Sequence, residues 1–112
     1  MHKTKRTKAL GITIAVKESV AERDSIDGFP CCILCGSPAP VNNRLAFSCA
    51  HYINRAQGGL GVEENILTLC PGCHYRFDQT TDREMLKPFF GLYLKEHYPD
   101  WDEEKLYYRK GE

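Results

Sequence analysis

A small α+β domain stapled by a metal ion is what three features of this sequence predict. The chain has 112 residues, enough for one domain with a modest core. Two Cys-x-x-Cys pairs, Cys32-Ile-Leu-Cys35 and Cys70-Pro-Gly-Cys73, stand far apart in it. Between and after them, short β-type runs give way to helical periodicity. Thiolates two residues apart grip one side of a tetrahedral zinc ion, and two such pairs close the site with no open position. A chain this short gains from such a staple.

The elements follow in order. Residues 1–15 read as a basic, flexible arm, in which Lys3, Lys5, Arg6 and Lys8 meet no acid and residues 1–8 carry no pattern that would order them. Residues 16–112 read as a single domain, with a motif core at 31–80 and a helical extension at 81–112. Val16, Val20 and Ala21 share one face of a helix from Val16 to Asp24. Gly28 and Pro30 end it. Cys32 to Cys35 form a tight knuckle, and Gly36 supplies the positive backbone angle behind it. Ser37 to Asn43 is loop. Leu45 to Ile53 reads as one strand and Asn65 to Leu69 as another, separated by the glycine-rich 57–61 loop. Pro71 suits the first turn of a helix running to Gln79. A last helix spans Asp82 to Tyr98, where Pro88 should kink or divide it. Asp100 or Asp102 caps a final turn containing Leu106. Knuckle, strand, glycine loop, strand and helix, with metal joining the knuckle to the helix start, is the order of a treble-clef zinc finger.

Composition narrows the class. The apolar fraction is 42% and the net charge is zero, so neither disorder nor a bulk polyelectrolyte role is indicated. The charge is uneven: the basic start is suited to a phosphate backbone or to plain solvation, and Asp100 to Glu112 holds five acids against three bases. No stretch is apolar enough to span a bilayer and no export signal is evident. Six cysteines in paired spacing then point to metal in a reducing cytoplasm rather than to disulfides. Cys32 has the knuckle spacing that the adjacent Cys31 lacks. Cys49 reads as a small buried apolar residue.

With zinc assigned to the cysteines, two histidines are left over. His51 lies near the end of the first strand. His74 follows Cys73 in the first turn of the helix, and Asp78, four residues on, faces the same way. An imidazole and a carboxylate so placed can share one hard divalent ion and leave positions for water and phosphate. Asn65, on the connection, can hydrogen-bond backbone and fix the loop that carries His51. The plain readings are a polar strand-end histidine, a helix-start histidine or spare zinc ligand, a surface acid and a solvated Arg55. The aromatics from Phe89 to Tyr108 read mainly as packing for the last helix, and base stacking is the other use open to them.

The run Ala-His51-Tyr-Ile-Asn-Arg55-Ala-Gln-Gly58-Gly59, followed by Glu-Glu-Asn65-Ile-Leu-Thr-Leu-Cys70-Pro-Gly-Cys73-His74, resembles the HNH endonucleases, in their zinc-containing branch. The three letters fall on His51, Asn65 and His74, and the likeness covers Cys32 to Gln79. It implies a ββα-metal core of treble-clef type and a metal-dependent hydrolysis of DNA phosphodiester bonds. His51 would be the general base, Asn65 the loop anchor, and His74 with Asp78 the holder of Mg²⁺ or Mn²⁺. Arg55 would bind a phosphate oxygen, and Gly58 and Gly59 would let backbone approach the DNA strand. Zinc on Cys32, Cys35, Cys70 and Cys73 would be structural. The implied partner is DNA, in double-stranded form, and the family's small members point to a phage or mobile element and its proteins. Many members place a metal-binding acid or histidine directly before the base. Here that residue is Ala50, which leaves Asp78, Cys49, or substrate phosphate and water to complete the site. The same residues also admit a non-catalytic nucleic-acid-binding module or a zinc-stapled protein-interaction module.

Overall fold

The structure, a computed structural model, describes residues 4–110; Lys3 of the basic start and Glu112 of the acidic end lie outside the described residues. The centre is a β-hairpin and a helix. Strand β3 (Ser48–His51) pairs antiparallel with β4 (Ile66–Leu69), setting Ala50 opposite Leu67 and His51 opposite Ile66. Helix α3 (Pro71–Gln79) follows at once, with Pro71 in the first turn as its missing N–H permits. Helix α4 (Arg83–His97) packs on α3 through Phe77 and Phe90, whose rings meet edge to face at 4.9 Å. Leu67, Leu69, Ile53, Leu86 and Leu94 complete the core between hairpin and helices.

Strand β3 is shorter than the sequence predicts. A turn continues through 42–46, with Ala46 N donating to Asn43 O, and leaves Leu45 exposed. Beyond His51 the chain leaves the sheet to meet Asn65. Of the kink or division expected at Pro88, the division does not occur: helix α4 runs through it. The hydrogen bond lost there belongs to the carbonyl of Glu84, in the first turn on a solvent-facing side, while Leu86 and Phe90 anchor the opposite face. A final 3₁₀ turn, Glu103–Leu106, is capped by Asp102, whose carboxylate accepts from Glu104 N at 3.0 Å.

The N-terminal part differs most from expectation. The segment read as a flexible arm holds helix α1 (Lys5–Leu10), capped by Thr4, and the start of helix α2 (Ile14–Arg23), capped by Thr13. One anchor explains the order of α1: Leu10 is 1% exposed. Gly11 and Gly61 then let two backbones touch, for a Cβ on Gly61 would sit 2.0 Å from Gly11 O. Between α2 and the knuckle lies a hairpin of β1 (Ser25–Ile26) and β2 (Phe29–Pro30), turned by Asp27 and Gly28, both at positive φ.

A buried polar cluster ties α2 to the centre. The Arg23 guanidinium grips Asp24 through two bonds of 2.7 and 2.9 Å, and also donates to the carbonyls of Glu63 and Ile66. Asp24 in turn accepts from Thr68 N and from the Tyr93 hydroxyl. Burial alone would discharge Arg23, and the adjoining carboxylate more than offsets it. No helix among the described residues is long and apolar enough to cross a membrane.

Candidate active site

The four cysteines come together as the spacing predicts. The sulfurs of Cys32, Cys35, Cys70 and Cys73 all lie within 4.8 Å of one another. Cys35 Sγ and Cys70 Sγ are 3.7 Å apart, close to the edge of about 3.8 Å that a tetrahedron of 2.3 Å Zn–S bonds requires. The knuckle supports this: Cys35 N points at Cys32 Sγ at 3.5 Å, Gly36 N closes on Cys32 O, and Gly36 takes φ of 80°. Bonds from the Ser37 hydroxyl and backbone hold the Cys35 thiol down at about 6, in the thiolate range at neutral pH. Four thiols in closed geometry fit a structural zinc ion. Cys31 stays outside the set and donates to Phe29 O. A zinc ion held there would join the knuckle to the start of α3, which carries His74.

Asn65 is fully buried and clamps the loop after β3. Its Oδ1 accepts from Ile53 N at 2.8 Å, and its Nδ2 donates to Ile53 O at 3.1 Å and Leu60 O at 2.8 Å. Its own carbonyl accepts from Tyr52 N at 2.7 Å. Every polar atom of the amide is used, so the chain on either side of Tyr52 is fixed relative to β4. Gly58 and Gly59 serve the geometry of the chain itself. Gly58 takes φ of 88°, and a Cβ on Gly59 would lie 1.6 Å from Ile53 O. They let this loop fold against its own backbone.

His51 is 9% exposed, and its Nε2 lies 2.9 Å from Leu10 O. A carbonyl only accepts, so Nε2 carries the proton and Nδ1 of the neutral ring holds the free lone pair. Nδ1 has no protein partner among the described residues and is not sealed from solvent. Burial holds the ring's pKa below its ordinary value; the Leu10 bond opposes this, and the nearby Arg55 charge adds to it. His51 is therefore neutral, with an available base, at neutral pH.

His51, Arg55, His74 and Asp78 line one cleft of about 480 Å³, with Ile12, Cys49 and Gln79. His74 Nε2 and Asp78 Oδ2 are 2.7 Å apart on one face of α3, as their four-residue spacing dictates. Arg83 backs this pair. It reaches Asp78 at 3.4 Å, donates to Tyr52 O at 2.8 Å and lies over the Phe77 ring at 4.1 Å. Nothing local in the sequence marks Arg83, which reaches the site from the next helix. Cys49, expected to be buried, is half-buried and faces the cleft. Ala50, by strand alternation, points the other way and is fully buried in the core. A charged ligand has no place there. Among the described residues the four cysteines are the one cluster of three or more close metal-ligating side chains. A hard cation in the cleft would have His74 and Asp78 as its protein ligands, a set that suits an ion keeping several waters and taking up phosphate oxygens.

A zinc-knuckle α+β core holding a histidine-and-carboxylate cleft defines the class of site. The family model for HNH endonuclease matches residues 32–77, and over this segment the chain is similar to that family. The match begins at the first knuckle cysteine, takes in His51, Asn65 and His74, and ends one residue before Asp78. No curated protein matches the chain significantly.

Proposed function

We propose that the chain is a metal-dependent endonuclease that hydrolyses phosphodiester bonds of double-stranded DNA. The observation that carries this is the convergence on one cleft of an unprotonated, solvent-open His51 Nδ1 and a paired His74 and Asp78. In this reading His51 Nδ1 takes the proton from a water as that water attacks phosphorus. Arg55 holds a non-bridging phosphate oxygen with its planar guanidinium. Asn65 keeps the 52–60 loop in place, and with it the direction of the His51 ring. Arg83 keeps Asp78 oriented. His74 and Asp78 would hold a Mg²⁺ or Mn²⁺ ion, which when bound would supply charge stabilisation to the phosphate as the 3′ oxygen departs. The zinc cysteines take no part in the reaction, since their geometry leaves no open position.

The test is supercoiled plasmid incubated with zinc-loaded protein and Mg²⁺, Mn²⁺ or chelator, alongside His74→Ala. Nicked or linear product is expected with the divalent ions, none with chelator, and little from the variant. Intact plasmid in every lane, from folded protein, would overturn the nuclease reading. Salt-sensitive DNA binding without cleavage would then favour a binding module, in line with the two-residue ligand set and the buried Ala50.

A further inference from the structure

We propose that residues 4–13, which lie outside the family match, are a working part of the cleft: docking of α1 presents the Leu10 carbonyl that positions His51. This rests on the nuclease reading for its consequence in catalysis, and on geometry alone for the positioning. The bond from His51 Nε2 to Leu10 O spans 41 residues of chain, so it exists only while α1 is docked.

The docking is specific and local. Leu10 is buried, yet it lies outside the main cluster of core residues formed by the hairpin, α3 and α4. Gly61 N donates to Ala9 O at 2.9 Å, and the Gly61 Cα faces Gly11 O across a gap no side chain would fit. Arg6 donates to Arg55 O at 3.1 Å. These contacts are few and shared with one loop, the one that Asn65 clamps. Release of α1 therefore leaves the zinc core and its hairpin in place, while His51 loses the acceptor that selects its tautomer. Docking also sets the Arg6 side chain against the backbone of Arg55, a residue of the cleft, and neither guanidinium has a carboxylate partner among the described residues. A phosphate backbone lying along the cleft meets both, which favours the docked state and with it the ordered base. The His51 ring is thus aligned by the segment that also meets the substrate.

The experiment uses the full chain, zinc-loaded, with Gly61→Ala and Leu10→Ala. The Gly61→Ala methyl would lie 2.0 Å from Gly11 O and 3.0 Å from Leu10 O, so the segment must move away. Leu10→Ala removes the anchor without touching the loop, and serves if Gly61→Ala fails to fold. Long-range ¹⁵N–¹H NMR reads the His51 tautomer, zinc content and β3–β4 amide shifts report the core, and plasmid cleavage reports activity. Wild type is expected to show one tautomer, protonated at Nε2. The variants are expected to keep zinc and hairpin, to average the two tautomers, and to lose about 10²-fold or more in cleavage rate. A wild-type ring protonated at Nδ1, or variants that retain both tautomer and rate, would overturn the proposal. A wild type with the Nε2–H tautomer that cuts no DNA would overturn the nuclease reading, while the tautomer in the variants still decides the positioning.

Discussion

Replacing Asn65 by alanine removes three side-chain hydrogen bonds at once, those with Ile53 N, Ile53 O and Leu60 O. Asn65 is fully buried, as is Ile53, so water cannot simply take its place. Each bond is worth about 1 kcal/mol net, and the groups left behind keep their desolvation penalty. The expected loss is about 3 kcal/mol, within a range of about 2–4. For a domain of this size that lowers the melting temperature by on the order of 10 °C. Denaturant unfolding in saturating zinc measures it, through a lower midpoint at unchanged slope. The loss has a second, local part. Tyr52 N bonds the Asn65 backbone carbonyl, which alanine keeps, whereas Ile53 and Leu60 are released. The 53–60 loop therefore loosens before the hairpin does, and hydrogen exchange at Ile53 rises more than at Leu67. A loss under about 0.5 kcal/mol, or equal exchange at both amides, would refute the view that this side chain holds the loop.

Four other outcomes follow from the same structure. Chelating zinc, or changing Cys73 to serine, is expected to unfold the knuckle and the first turn of α3, seen as a loss of helical circular dichroism that added zinc restores only in the wild type. Asp24→Ala leaves the Arg23 guanidinium, whose side chain is 8% exposed, without a counter-charge and should destabilise by about 3–5 kcal/mol in denaturant titration. Because burial depresses the His51 pKa below 6.5, the acid limb of the single-turnover rate is expected below that value, with rate rising as pH rises and the ring loses its proton. The unfolded chain binds that proton first on acidification, so His51 also withdraws stability as pH falls below about 6.5.

What the sequence revealed divides along physical lines. Helix α3 is legible to the residue because proline and the second cysteine pair fix its start. The zinc set is legible because metal geometry demands the spacing. His51, Asn65, His74 and Asp78 stand out through chemistry at fixed intervals, and the structure brings three of them to one cleft with Asn65 behind it. Helix α1 was hidden because it has a single buried side chain, too few to make a period, among basic residues that look solvated. Its order comes from tertiary contact at Gly61. Arg23, Asp24 and Arg83 were hidden for the same reason: charged residues carry no local sign that a distant partner will bury them. The hairpin at 25–30 did carry a sign, Asp27-Gly28 between apolar residues, a pair suited to positive φ at both turn positions.

The most direct measurement of the central claim is single-turnover cleavage of supercoiled plasmid in Mg²⁺ or Mn²⁺ by wild type and His51→Ala, both zinc-loaded and with matching amide spectra. A general base facing the cleft through Nδ1 predicts cleavage by wild type and a loss of about 10²–10⁴-fold in the variant. Equal rates, or no cleavage by either protein, would contradict it.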